Sequence, residues 1–84
     1  MEGEYAFRYR TVKGVAYKGH TIKIAVARSK LRGRWSFEVD VYRPDGSWFP
    51  RLRSTVSYAE AREAFSTAER MGSLIVDSAS LARP

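Results

Sequence analysis

The chain has 84 residues, 44% of them hydrophobic and 13% aromatic, with no cysteine and a net charge of +6 from 15 Lys+Arg against 9 Asp+Glu. The length admits one small domain whose core must use most of the large apolar side chains. The lack of cysteine excludes a disulfide framework, a thiolate zinc site and a cysteine nucleophile, and no apolar run approaches the roughly 20 residues of a membrane span.

The opening residues "MEGEYAFRYR" carry acids where a signal peptide needs bases followed by an apolar stretch. Together with the lack of cysteine, this reads as a small soluble cytoplasmic protein of bacterial type, with no membrane partner. Tyr5, Phe7 and Tyr9 alternate with Ala6, Arg8 and Arg10, a strand period. Residues 1–12 therefore read as an edge strand or a flexible arm. "AYKGHT" marks a turn around Lys18–Gly19. "HTIKIAVAR" places Ile22, Ile24 and Val26 on one face, and Lys23, Ala25 and Ala27 on the other. "RWSFEVDVY" sends Trp35, Phe37, Val39 and Val41 inward, and Ser36, Glu38, Asp40 and Tyr42 outward. Arg43–Gly46, "RPDG", is a turn signal. "SWFPRLRST" follows as a third strand. Pro50 cannot donate to a ladder and puts that strand at an edge or a bulge. Parity with Leu52 turns Trp48 inward and Phe49 outward unless Pro50 marks such a bulge.

The spacing then predicts a helix from Ser57, with Ser57 and Glu60 as a capping box and Val56 as its staple. Ala61, Ala64, Phe65, Ala68, Met71 and Ile75 form its apolar stripe. Gly72 bends or ends the helix, "SLIVDS" either continues it or packs as a separate turn, and residues 79–84 fray. Strands first and a helix last give an α+β fold. It has two layers, an antiparallel three- to four-stranded meander with one C-terminal helix packed on its inner face. Trp35, Phe37, Val39, Ile22, Ile24 and Phe65 are expected to be buried together.

The charge is uneven: residues 1–56 hold 12 bases and 5 acids, and residues 57–84 hold 3 bases and 4 acids. That asymmetry points to a polyanion, DNA or RNA first. With a four-residue hairpin loop at Arg43–Gly46, Tyr42 opposes Ser47, Asp40 opposes Phe49, Glu38 opposes Arg51 and Ser36 opposes Arg53. Two registers of the preceding hairpin set Lys23 opposite Glu38 or Asp40. A ladder of Lys23, Glu38 and Arg51 then neutralises much of the outer face. The bases left over lie in "RSKLRGRW": Arg28, Lys30, Arg32 and Arg34, with Arg53 alongside.

Four bases in seven residues at a hairpin tip suit phosphate contact, and a β-ribbon also fits a DNA major groove. The competing reading is a solvated loop that resists edge aggregation. Phe49, expected to be exposed beside Arg51 and Arg53, is a candidate for base stacking. Catalysis has little support. His20 is the single histidine, and Glu38 and Asp40 lie beside cations that keep both ionised, whereas acid–base work needs one raised pKa. No phosphate-cradling glycine motif occurs, so no enzyme and no cofactor are expected. The alternative is a protein-interaction module, a homodimer using an exposed strand edge or the aromatic N-terminal segment.

Two resemblances add to this. Tyr17, Gly19 and Ile22, then Gly33 and Trp35, then Ser57, Glu60 and Ala61, and finally Ile75, Val76 and Asp77 resemble the pattern of short uncharacterised proteobacterial single-domain proteins, which implies no activity. Tyr17-Lys18-Gly19, Gly33-Arg34-Trp35, Glu38-Val39, Ala59-Glu60-Ala61 and Ala64-Phe65 resemble the plant ethylene-response type DNA-binding domain over residues 15–68. That likeness implies three strands, a packed helix and DNA contact through the sheet, with Arg28, Arg34 and Arg51 at the strand positions. Where that family carries an arginine after the Glu–Val pair, this chain has Asp40.

Overall fold

The computed structural model describes residues 7–81; Tyr5 and Ala6 at one end, and residues 82–84 at the other, lie outside the described residues. Four strands, β1 (Phe7–Tyr17), β2 (His20–Ser29), β3 (Trp35–Tyr42) and β4 (Leu52–Arg53), form one antiparallel sheet in sequence order. They are followed by helix α1 (Ala61–Leu81). This is the expected α+β meander, with four strands.

The first hairpin is tight because Lys18 (φ 49°) and Gly19 (φ 79°) both take positive φ between the paired Tyr17 and His20. Two such residues match the right-handed twist of the flanking strands. In the second hairpin Ile22, Ile24 and Val26 stand across from Val41, Val39 and Phe37. All six are buried, as the alternation requires. The register sets Lys23 opposite Asp40.

The helix packs on β2 and β3 and barely reaches β1. Its buried line is Ala64, Ala68, Gly72 and Val76, each four residues after the last. Phe65, Met71 and Ile75 pack at its flanks. Small residues along the centre let helix and sheet approach closely. A Cβ on Gly72 would lie 2.6 Å from Ile22 Cγ2, so Gly72 is where the helix crosses β2 and not where it ends. The helix runs on through "SLIVDS" to Leu81. Phe65 is a flank residue and not the centre of the core, since the i, i+4 line through Ala64 and Ala68 takes the position nearest the sheet.

The start of the helix also differs from expectation. Tyr58 pairs with Trp35 through two backbone hydrogen bonds of 2.8 Å. This strand-like pairing delays the helix to Ala61. Glu60 then precedes the first turn, and Glu63 reaches back to accept its N–H at 3.1 Å. The reach-back half of a capping box thus forms three residues later than the Ser57–Glu60 reading, while the Glu60 side chain accepts a bond from Arg62, and Val56 is exposed rather than a staple. At the far end Asp77 accepts bonds from Lys18 Nζ (2.8 Å) and the Tyr17 hydroxyl (3.1 Å), tying the helix to the first hairpin.

Candidate nucleic-acid interface

The six residues singled out by sequence fall into two places. Arg28, Lys30, Arg32 and Arg34 gather at the β2–β3 tip, whereas Arg53 and Phe49 sit at or after the β3–β4 corner.

At the tip, the Ser29 N–H donates to the Arg34 carbonyl and the Gly33 N–H donates to the Ser29 carbonyl, both at 2.8 Å. Gly33 closes the loop at φ 67°, a conformation that favours glycine. Ser29 Oγ accepts the Arg32 N–H at 3.3 Å. Arg28 is half-buried and donates to the Gly33 carbonyl. Arg34 donates to Ser57 Oγ (2.7 Å) and to the Ser57 carbonyl (3.0 Å). Both acceptors are neutral, so Arg34 is fixed in place while its charge stays uncompensated by them. Ser57, expected to cap the helix, thus pins the tip to the segment before it. Lys30, Leu31 and Arg32 are exposed at the apex, Leu31 at 95%.

The corner is built differently. The Arg43 N–H donates to the Ser47 carbonyl and the Gly46 N–H to the Arg43 carbonyl. Asp45 Oδ1 accepts both the N–H and the hydroxyl of Ser47, which holds its carboxyl below the usual range. This longer loop makes Tyr42 oppose Trp48 rather than Ser47. Between Tyr42 and Val39 the chain takes three steps, and between their partners Trp48 and Leu52 it takes four. The extra residue is a bulge around Pro50. It reverses the parity expected from Leu52. Trp48 shares the outer face with Tyr42 and is 69% exposed. Phe49 packs against the core, with the Arg43 guanidinium 3.9 Å from its ring centroid. Phe49 is therefore not an exposed stacking surface.

The same shift re-pairs the arginines. Arg53 stands across from Glu38 and bonds it at 3.1 Å. Arg51 grips Asp40 with two bonds, at 2.9 and 3.0 Å, and reaches Glu38 at 3.3 Å. The hydrogen bonds to Asp40, with the charges of Asp40 and Glu38, raise the Arg51 pKa further. Arg51 is neutralised as the sequence ladder required. Arg53, read from sequence as unpaired, is neutralised too. The residue that sequence reasoning missed is Trp48; its signal was the Pro50 bulge, which was visible but could not be placed.

No three His, Cys, Asp or Glu side chains among the described residues converge as metal ligands would, and His20 Nδ1 lies 3.0 Å from the Lys18 carbonyl. No described helix is long and apolar enough to cross a membrane. Comparison with known proteins returns no matching family model, no curated relative and no solved structure.

Proposed function

We propose that the protein binds nucleic acid weakly, through the β2–β3 hairpin tip. The observation that carries this reading is the contrast in what holds the arginines. Arg51 and Arg53 are bound to carboxylates. Arg34 is bound to neutral oxygen atoms of Ser57, and Arg32 stands exposed at the apex. A rigid loop with uncompensated guanidinium groups attracts phosphate, and counterion release supplies salt-dependent affinity. Arg28 and Lys30 add positive potential beside them. Arg53 and Phe49 leave the site. Fluorescence anisotropy with labelled duplex DNA, single-stranded DNA and RNA at low salt tests it. Binding tighter than about 10⁻⁴ M, the weak end for non-specific association, is expected for at least one, and no binding to any of them removes the proposal.

A second reading is favoured by the sheet's edges. β4 has two residues and follows Pro50, a guarded edge, whereas β1 is an 11-residue edge strand of the kind that pairs with another chain. A two-fold axis at Val12 would set Arg10 opposite Gly14 and Lys13 opposite Thr11 of a second copy, with no like charges facing. Sedimentation over a concentration series decides it, since a strict monomer at high concentration excludes a homodimer.

A further inference from the structure

The outer face of the sheet carries no covering layer among the described residues, because α1 packs on the inner face alone. At its corner end, Asp40, Tyr42, Trp48, Phe49 and Arg51 line a shallow recess of about 290 Å³. Trp48 is the most unusual residue there. A tryptophan on a small domain ordinarily spends its large apolar area in the core, and this chain has two tryptophans to spend. Trp35 packs against the core. The Pro50 bulge holds Trp48 out, paired through its backbone with Tyr42. The floor beside it is the doubly bonded Arg51–Asp40 pair, which is planar, polar and already charge-balanced. An indole beside a neutral polar floor suits a flat, amphipathic, uncharged ring, as a nucleobase is.

From this recess a lane runs to the basic tip. Its β2 positions are Thr21, Lys23, Ala25 and Ala27, and the neighbouring β1 positions are Ala16, Gly14, Val12 and Arg10. Most are small, so the surface is low in relief, although Ala27 at the tip end is buried beneath its neighbours and the open stretch ends at Ala25. Arg10 is exposed along it, and so is Lys23, which stands across from Asp40 but, contrary to the ladder expected from the sequence, forms no ion pair with a described residue. The seven steps of β3 cover about 23 Å, the length of about seven nucleotides at the stacked spacing of about 3.4 Å.

We propose that the outer face is a binding lane for single-stranded nucleic acid, in which one unpaired base stacks on Trp48 and the following phosphates pass Lys23 and Arg10 to reach the tip. This deepens the nucleic-acid reading and rests on it. A duplex keeps its bases stacked internally and offers Trp48 nothing to stack on. Single-strand binding of this form tolerates any sequence, because every base has a π-face.

The test uses the intact chain with thymidine oligonucleotides of three and ten residues and a ten-base-pair duplex. Intrinsic tryptophan fluorescence and anisotropy of end-labelled strands are read together. The ten-mer is expected to quench the wild-type protein, and the Trp48→Phe variant, which keeps Trp35 as an internal control, is expected to show no quenching. Trp48→Ala is expected to weaken ten-mer binding about 5- to 150-fold, the range for losing one base–aromatic stack. Duplex affinity should not change. The three-mer, too short to reach the tip, is expected to bind more weakly than the ten-mer by more than the number of sites explains. If the ten-mer binds but leaves Trp48 unquenched, and Trp48→Ala binds it as well as wild type does, the lane is wrong while the tip reading stands. If Trp48→Ala weakens duplex and ten-mer equally, the single-strand claim is overturned. If neither oligonucleotide nor duplex binds, both readings fall.

Discussion

Arg34 at the tip and the pair Arg51 and Arg53 on the far side of β3 are held in opposite ways, while Arg43 in the corner loop is held, like Arg34, by neutral oxygens of Ser47 and Trp48. At the corner, Arg51 and Arg53 share Glu38 and Asp40, and the guanidinium charge is consumed within the sheet. At the tip, Arg34 is held just as firmly, but by a hydroxyl and a carbonyl. A salt bridge fixes a side chain and cancels its charge, whereas a neutral acceptor fixes it and leaves the charge available. The same residue type thus serves the fold at Arg51 and Arg53 and is presented outward at Arg34. Counting bases in the sequence treats these arginines as equals, and the partner atoms are what separate them.

The contrast depends on a scaffold that keeps both ends in register, and that scaffold breaks most easily at the helix crossing. Gly72→Val inserts a branched side chain where even a Cβ lies 2.6 Å from Ile22. Overpacking of this kind costs about 1–3 kcal/mol, a large share of a small domain's stability. Urea melts are expected to show the loss. Arg51→Ala is the next largest. It leaves Glu38 and Asp40 to Arg53 alone, and because the groups are partly exposed the loss is smaller than at Gly72. Arg32→Ser at the apex, with no carboxylate to release, is expected to shift stability by less than about 0.5 kcal/mol. Equal losses for these two variants would erase the distinction between corner and tip. Arg34→Ser falls between them, at about 0.5–1 kcal/mol for exposed hydrogen bonds, and it also loosens the loop at Ser57.

The smallest effect is a dependence on pH. The hydrogen bond from Lys18, and that from Tyr17, hold the Asp77 carboxyl below its ordinary value, while Asp77 raises the pKa of Lys18. A lowered carboxylate pKa means that the contribution is complete above about pH 4, the unfolded value. It is lost as pH falls through the folded value. The raised Lys18 contributes fully below its ordinary pKa and loses that contribution as pH climbs past the folded one. Asp77→Asn is expected to flatten the acid limb of a stability–pH profile and leave the corner and tip unchanged. An unaltered acid limb would show that this tie is not felt in solution.

How much of this could be read from the chain follows from where periodicity operates without interruption. The β2 and β3 faces alternate cleanly, and Ile22, Ile24, Val26, Phe37, Val39 and Val41 were legible as the core for that reason. The hairpin at Lys18–Gly19 was legible from turn chemistry. What failed lay after Gly46. One added loop residue and one bulge at Pro50 changed every pairing that followed, so Arg53 met Glu38 and Trp48 exchanged places with Phe49. A period of two has no memory for such a slip. The helix start failed for a different reason. Ser57 has the chemistry of a cap, but backbone pairing of Tyr58 with Trp35, a contact 23 residues away in sequence, claimed that segment first. Ser57 was then left to hold Arg34, so one misread local signal concealed the anchor of the candidate site.

The central claim is that Arg32 and Arg34 at the tip are available to a polyanion and that Arg51 and Arg53 are not. The most direct test is the salt dependence of nucleic-acid affinity, measured by anisotropy on duplex DNA for wild type, Arg32→Ser and Arg53→Ser. With about four phosphates contacted, log K should fall with log salt at a slope of about −3 to −4. Arg32→Ser should reduce that slope by about 1, while Arg53→Ser leaves it unchanged. A slope flattened as much by Arg53→Ser as by Arg32→Ser, or by Arg53→Ser alone, would contradict the account.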